Sequence, residues 1–213
     1  MRSAPLLLIL ILAVAVSAQN KAGDAAAPSA AGPLSIAIVV DNSGSYRSIF
    51  DRVVTSTTQI IDGVRPGDEG FLVTFVDTSK IVLRQGMTAE KKDLQDSVDN
   101  MFIEGGSTAI LDAVVYAAKH LSEHSTPGAD RSRVIILITD GDERESAATV
   151  DEAIKSARTA NARIFVLGLF DDKFYPKVID RLIRETGGAK FVPKMPKETP
   201  AAVTSLLSAI RTK

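Results

Sequence analysis

The sequence predicts an α/β domain: a doubly wound, mostly parallel sheet with helices on both faces and one short antiparallel edge strand. Two observations support this prediction. Segments of strand length alternate with segments of helical periodicity from Leu34 onward, and the stretches 34–40 and 132–140 are almost continuously apolar. Such alternation is typical of parallel sheets with crossover helices, and continuous apolar runs are typical of strands covered on both faces. We therefore expect these two strands to be neighbours at the centre of the sheet.

The other elements follow from hydrophobic periodicity and turn residues. After the first strand, apolar residues between Ile49 and Val64 recur at the spacing of one helix face. The segment 79–87 is short and flanked by polar residues, which favours a hairpin at the sheet edge. The last helix is expected to have Thr199 as its cap and Pro200 at its first position. Further strands are predicted over 69–76, 163–170 and 189–193, and further helices over 89–101, 109–124, 148–162, 175–188 and 199–213.

The composition is that of an ordinary globular domain, and it excludes several classes of function. The chain has 213 residues, of which 45% are hydrophobic and 24% charged, and its formal net charge is −1. No strongly basic balance is present to attract nucleic acid, so we expect no nucleic-acid partner. The chain contains no cysteine, which excludes disulfides, thiolate zinc sites and cysteine nucleophiles.

The N-terminal segment has the pattern of an export signal. Arg2 is followed by an apolar stretch over 6–16 and then by small residues, so we expect residues 1–18 to be a cleaved signal peptide. The apolar stretch is shorter than the roughly 20 residues that span a bilayer, so no membrane insertion is expected after cleavage. Residues 19–33 are rich in Ala, Gly and Pro and are predicted to be a linker. The folded domain is expected over residues 34–213. The protein is expected to be exported, either to the periplasm or to the outside of the cell.

Five oxygen-bearing side chains are predicted to gather at one edge of this sheet. Asp41, Ser43 and Ser45 follow the first strand, Thr108 precedes a helix, and Asp140 ends a central strand. Ligand sites in open α/β sheets lie beyond the carboxyl ends of the strands. Two carboxylates and three hydroxyls, without nitrogen or sulfur, favour a hard cation such as Mg²⁺ or Mn²⁺. Because only two of these side chains are charged, a bound ion would still attract a carboxylate from outside.

The same residues resemble a known family, that of the von Willebrand factor type A domains. The stretch "DNSGS" at 41–45 is similar to the family's Asp-x-Ser-x-Ser motif. Thr108 in "GGST" and Asp140 in "ITDGD" are similar to its two remaining metal-site positions, in the same order along the chain. The resemblance spans roughly residues 34–210, and a full set of these positions is far more specific than the first motif alone.

This resemblance implies a Rossmann-like fold with a metal-ion-dependent adhesion site. It implies that Ser43, Ser45 and Thr108 contact Mg²⁺ directly, while Asp41 and Asp140 act largely through water. The implied function is non-enzymatic. The domain would bind a protein partner in a cation-dependent way, with the partner supplying an Asp or Glu carboxylate to the ion.

The oxygen-bearing residues also allow a purely structural role and an enzymatic one. Asp41 and Ser43 would suit a helix cap and Asp140 a turn, although a cap needs only one such residue. The alternative function is Mg²⁺-dependent phosphoryl transfer with Asp41 as the nucleophile. Phosphatases that resemble haloacid dehalogenases use a second Asp as general acid two positions on, where this chain has Ser43.

Two further motifs allow both a functional and a structural interpretation. His120 and His124 match the His-x-x-Glu-His spacing of inverted zinc peptidases, but they also suit a helix C-terminus, where imidazoles are favoured. At 1.5 Å per residue His120 would lie about 18 Å from Thr108, too far to serve the oxygen cluster. The acidic residues within 142–145 are interpreted as a solvated loop or, alternatively, as a surface that selects a basic partner.

Overall fold

The central sheet has six strands within the part of the chain that the structure, a computed structural model, describes, namely residues 32–128 and 130–212. The predicted signal peptide and residues 19–31 of the predicted linker lie outside the described residues. The strands are β1 (Leu34–Asp41), β2 (Glu69–Phe75), β3 (Ile81–Thr88), β4 (Ser132–Thr139), β5 (Ala162–Gly168) and β6 (Lys190–Phe191). Their order across the sheet is β3-β2-β1-β4-β5-β6.

The pairing of the strands confirms the predicted fold class. Among the strands of the described residues, only β3 runs antiparallel to its neighbour, and it forms the predicted edge hairpin with β2. All other neighbouring pairs are parallel. The two most continuously apolar strands, β1 and β4, lie side by side at the centre, as expected from their sequences.

Helices cover both faces of the sheet. They are α1 (Phe50–Asp62), α2 (Lys91–Asp99), α3 (Ile110–His124), α4 (Val150–Thr159), α5 (Pro176–Thr186) and α6 (Thr199–Ala209). Alternate residues of β1 belong to opposite layers, because successive strand side chains point to opposite faces. Ala37 and Val39 pack with α3, α4 and α5, whereas Ile36 and Ile38 pack with α1, α2 and α6. None of the helices among the described residues is long and apolar enough to cross a membrane.

The start of α6 differs by one residue from the prediction. Thr199 is the first helical residue and Glu198 the residue before it, because a short 3-10 helix, Pro196–Glu198, runs directly into α6. The Thr199 hydroxyl is therefore not a cap, and its Oγ1 instead accepts a hydrogen bond of 2.8 Å from Nε of Arg52. At the end of α5, Gly187 takes the left-handed conformation (φ 75°) that favours glycine.

Candidate functional site

The five predicted residues meet at the carboxyl edge of the central strands. Asp41 is the last residue of β1, Asp140 follows β4 directly, and Thr108 lies two residues before α3. Ser43 and Ser45 stand at the start of a 3-10 helix, Gly44–Ile49, that links β1 to α1. The Ser43 side chain makes no cap hydrogen bond with that helix, so capping does not explain it.

Asp41 is a carboxylate enclosed by the protein, with 1% of the residue exposed. Its Oδ1 accepts a hydrogen bond from the Ser43 N–H at 3.0 Å, and its Oδ2 accepts one from the Thr139 hydroxyl at 2.9 Å. Burial raises the pKa of Asp41 to about 7, and the nearby charge of Asp140 acts in the same direction, although the hydrogen bonds from Ser43 and Thr139 oppose the rise. A positive ion in front of this carboxyl group would favour its ionised form.

Asp140 is the second carboxylate, and it is held by the backbone around it. Its Oδ1 accepts a hydrogen bond from the Asp142 N–H at 3.0 Å, and its carbonyl oxygen accepts one from the Tyr175 N–H at 2.8 Å. Burial raises the pKa of Asp140 above its ordinary value, and the Asp142 charge adds to the rise, while the hydrogen bond from the Asp142 N–H opposes it. Two neighbouring carboxyl groups thus share an environment that disfavours their charged forms.

The hydroxyl groups form the wall of a small cavity in front of these carboxylates. The cavity has a volume of about 100 Å³, and its lining consists of Ser43, Ser45, Gly106, Ser107, Thr108, Asp142 and Arg144. The Oγ atoms of Ser43 and Ser45 lie 3.1 Å apart. Asp41 and Asp140 are not part of this lining.

Thr108 reaches the site because the loop before it makes a turn that depends on glycine. Gly105 and Gly106 have φ values of 74° and 115°, which L side chains rarely adopt. A Cβ at Gly106 would also lie 2.7 Å from Cγ1 of Val76. The Thr108 carbonyl accepts hydrogen bonds from the backbone N–H groups of Arg144 and Glu145, at 2.9 and 3.1 Å, which joins this loop to the one after β4.

The donor set fits a hard divalent cation. It offers two carboxylates and three hydroxyls, the oxygen chemistry that Mg²⁺ and Mn²⁺ prefer. Within residues 32–128 and 130–212, no group of three or more His, Cys, Asp or Glu side chains is arranged to hold a metal ion. A cation at this edge would therefore depend on the hydroxyls of Ser43, Ser45 and Thr108 as well as on the carboxylates.

The acidic residues after Asp140 have separate roles. The Asp142 carboxylate accepts hydrogen bonds from Nε and Nη2 of Arg144, of 2.7 and 2.5 Å. The Glu143 carboxylate accepts from the N–H groups of Leu111 and Ser146, at 3.1 and 2.9 Å, so it holds the start of α3. Asp142 thus belongs to the cavity wall, and Glu143 stabilises the fold. Neither a solvated loop nor a surface that selects a basic partner describes both residues.

Thr139 and Arg144 were not predicted from the sequence as parts of the site, and the contact of Glu143 with the start of α3 was not predicted either. The sequence shows only that Thr139 precedes Asp140, and the pairing of Val40 with Ile138 across β1 and β4 is what brings Thr139 beside Asp41. For Glu143 and Arg144 the spacing gave no signal, since their partners come from the separate loop and helix around Thr108 and Leu111.

The histidine pair lies at the far end of α3 and is part of the packing there. The His120 and His124 rings stack with centroids 4.0 Å apart, and the His120 ring lies 4.4 Å from the Phe71 ring. Burial lowers the pKa of His120, and the neighbouring His124 lowers it further. In the described part of the chain these imidazoles join no three-ligand cluster, so the zinc hypothesis gains no support.

Comparison with known families agrees with the fold. The family described as the von Willebrand factor type A domain matches residues 35–200. The chain therefore belongs to the von Willebrand factor type A domain family. Domains of this family are generally non-enzymatic modules for protein interaction and adhesion, and they commonly bind a divalent metal.

Solved structures share the fold at low sequence identity. An aerotolerance-related membrane protein from Bacteroides fragilis, with multiple mutations to serines, is 18% identical with a TM-score of 0.65, and the match covers 82% of this chain and 98% of that one. BatB from Bacteroides thetaiotaomicron is 16% identical with a TM-score of 0.63 and coverages of 82% and 99%. Proximal thread matrix protein 1 from the mussel byssus is 15% identical with a TM-score of 0.72, over 85% of this chain and 49% of that chain.

Proposed function

We propose that this domain binds a protein partner through a divalent cation, Mg²⁺ or Mn²⁺, held by Asp41, Ser43, Ser45, Thr108 and Asp140. The observation that carries this proposal is the order of groups at the sheet edge. Serine and threonine residues line a cavity of about 100 Å³, and two carboxyl groups with raised pKa values stand close behind them. A bound cation would favour the charged forms of both carboxyl groups.

Each residue has a defined task in this proposal. Ser43, Ser45 and Thr108 offer neutral oxygens, and Asp41 and Asp140 balance the ion's charge from behind. When bound, the cation supplies the positive charge that attracts one oxygen of a partner's Asp or Glu carboxylate. The Thr139 hydroxyl orients Asp41, and the Asp142 N–H orients Asp140, so both carboxylates are fixed before any ion arrives. The site is thereby preorganised for one acidic side chain of a partner.

Phosphoryl transfer by Asp41 is the competing function. Both carboxylate oxygens of Asp41 already accept hydrogen bonds, and only 1% of the residue is exposed, so attack on a phosphorus atom would require rearrangement. Position 43, where a second Asp would act as general acid, is occupied by serine. We therefore favour binding without chemistry. Hydrolysis of p-nitrophenyl phosphate that disappears in Asp41→Ala would reverse this preference.

We further propose that the mature protein is exported after cleavage behind residue 18. The support is the charge, apolar stretch and small residues of the first 18 positions. Intact mass measurement of the protein from a culture of the source cells, separated into cellular and exported fractions, tests this directly. A mature chain that begins at Gln19 is expected in the exported fraction, and an uncleaved chain in the cells contradicts the proposal.

Titration calorimetry with Mg²⁺ and Mn²⁺ tests the metal. Asp140→Asn removes one charge but keeps an oxygen that can accept from the Asp142 N–H, so the fold should persist while cation binding is lost. Asp172→Asn is the matched control, because it removes the same charge from an exposed residue of the loop after β5. Equal binding by wild type and Asp140→Asn would refute the site. Capture of a partner that is unaffected by a chelator would refute cation dependence.

A further inference from the structure

Arg144 is a positively charged side chain on the wall of a cavity that is proposed to hold a cation. It shares the cavity lining with Ser43, Ser45 and Thr108. A roughly spherical space of 100 Å³ is about 6 Å across, so a charge on its wall acts strongly on any ion inside. A guanidinium group in this position needs an explanation, because it repels the ion that the other residues attract.

Hydrogen bonds from both its backbone and its side chain fix the position of Arg144. Its backbone N–H donates to the carbonyl oxygen of Thr108 at 2.9 Å. Its Nε and Nη2 donate to Oδ2 of Asp142, whose own N–H donates to Asp140. The residue is thus connected to two of the proposed metal-site residues, although 60% of its side chain remains exposed. Since a guanidinium has five N–H donors, donors remain for a ligand that arrives from solvent.

We propose that Arg144 determines specificity for the partner: its guanidinium binds one oxygen of the partner's carboxylate while the metal ion takes the other. This inference rests on the proposed function. The ion is proposed to attract a carboxylate from outside, and Arg144 would add a second attraction for the same group. The planar guanidinium adds a positive charge with the geometry that matches a carboxylate. Asp142 holds the guanidinium at the cavity until the partner arrives.

The proposal predicts effects of opposite sign on the cation and on the carboxylate. Arg144→Ala removes a repelling charge and releases Asp142, so Mn²⁺ should bind about 3- to 10-fold more tightly. The same variant loses a charge-assisted hydrogen bond, so acetate should bind the Mn²⁺-loaded protein about 10-fold more weakly. Asp142→Asn removes a negative charge from the cavity wall, so Mn²⁺ should bind more weakly to that variant.

Water-proton relaxation with Mn²⁺ measures both quantities on the full mature chain. Bound Mn²⁺ enhances relaxation through its coordinated water, and acetate that replaces this water reduces the enhancement. The measurements are made at low salt, because salt screens charge effects. Arg47→Ala is the control, since Arg47 is exposed on the same edge but is not part of the cavity lining, and it should change neither affinity.

The possible outcomes separate this inference from the proposed function. If the wild-type protein does not bind Mn²⁺, the proposed function fails. If it binds Mn²⁺ and acetate acts equally on wild type and Arg144→Ala, the function stands and the role of Arg144 is wrong. If both Mn²⁺ and acetate bind more tightly to Arg144→Ala, the side chain blocks the site, which also overturns the inference. Circular dichroism confirms that each variant is folded.

Discussion

Substitution of Gly141 by alanine tests whether the edge of the sheet is fixed by close backbone packing. Gly141 follows Asp140 and has a φ of 83°, in the left-handed region that favours glycine. A Cβ at this position would lie 2.3 Å from the Tyr175 carbonyl oxygen and 3.1 Å from Cγ1 of Ile179. Because the nearest obstacle is backbone, rotation of a side chain cannot relieve the clash. The loop after β4 and the start of α5 must move apart.

The expected loss of stability has two contributions. The left-handed conformation costs alanine about 1–2 kcal/mol. Overpacking against Tyr175 and Ile179 adds about 1–3 kcal/mol, including strain on the hydrogen bond from the Tyr175 N–H to the Asp140 carbonyl oxygen. We therefore expect Gly141→Ala to lower the free energy of unfolding by about 2–5 kcal/mol, a large share of the 5–15 kcal/mol of a typical domain. Binding of Mg²⁺ should weaken as well, because Asp140 moves with the loop.

Urea denaturation of Gly141→Ala and Gly187→Ala, which have similar backbone conformations, separates the cost of the clash from the cost of the left-handed conformation. Gly187 has a similar φ of 75°, but a Cβ there meets nothing within 4 Å. Gly187→Ala should therefore cost only the conformational strain, about 1–2 kcal/mol, reduced by the lower entropy of its unfolded chain. If Gly141→Ala costs no more than Gly187→Ala, or if it binds Mg²⁺ as the wild type does, the packing argument is wrong.

Two further predictions concern buried polar groups. Thr139→Val keeps the side-chain shape but removes the donor to Asp41 Oδ2 and the acceptor for the Gly141 N–H. It should lower the free energy of unfolding by about 1–3 kcal/mol in urea and weaken Mg²⁺ binding, and unchanged values for both would contradict the role given to Thr139. Asp68→Asn leaves the Arg211 guanidinium facing a neutral amide in a site where Asp68 is 2% exposed, and should cost about 3–5 kcal/mol. Burial alone would raise the pKa of Asp68, but hydrogen bonds from Arg211 and from the N–H groups of Arg65 and Leu34 outweigh it and hold that pKa below its ordinary value of 3.8. The unfolded chain therefore binds the proton first, so this contribution is complete above pH 3.8 and is lost as the pH falls further. Acid unfolding of Asp68→Asn should show a correspondingly smaller loss, and an identical pH dependence would refute the assignment.

The fold was predictable because its signals are local. Strands β1 and β4 are apolar at nearly every position, and a segment of that kind is stable only at the centre of a covered sheet. The start of α6 was misjudged by one residue for an equally local reason. Whether Thr199 caps a helix or begins it depends on the 3-10 turn before it, and propensity alone does not distinguish these cases.

The positions of Asp41 and Asp140 were predictable from strand ends, and that of Thr108 from its place before a helix. Asp41 ends β1 and Asp140 directly follows the neighbouring parallel strand β4, so their approach follows from the sheet once the order of strands is known. Arg144 and Glu143 are different, because their roles arise from contacts between loops that are distant in sequence. Arg144 reaches the cavity because its N–H binds the Thr108 carbonyl, and Glu143 turns away because the Leu111 N–H binds its carboxylate. Glu143 and Arg144 are adjacent and charged, yet single backbone hydrogen bonds give them different positions. The charge pattern in the sequence therefore does not indicate which of the two faces the cavity.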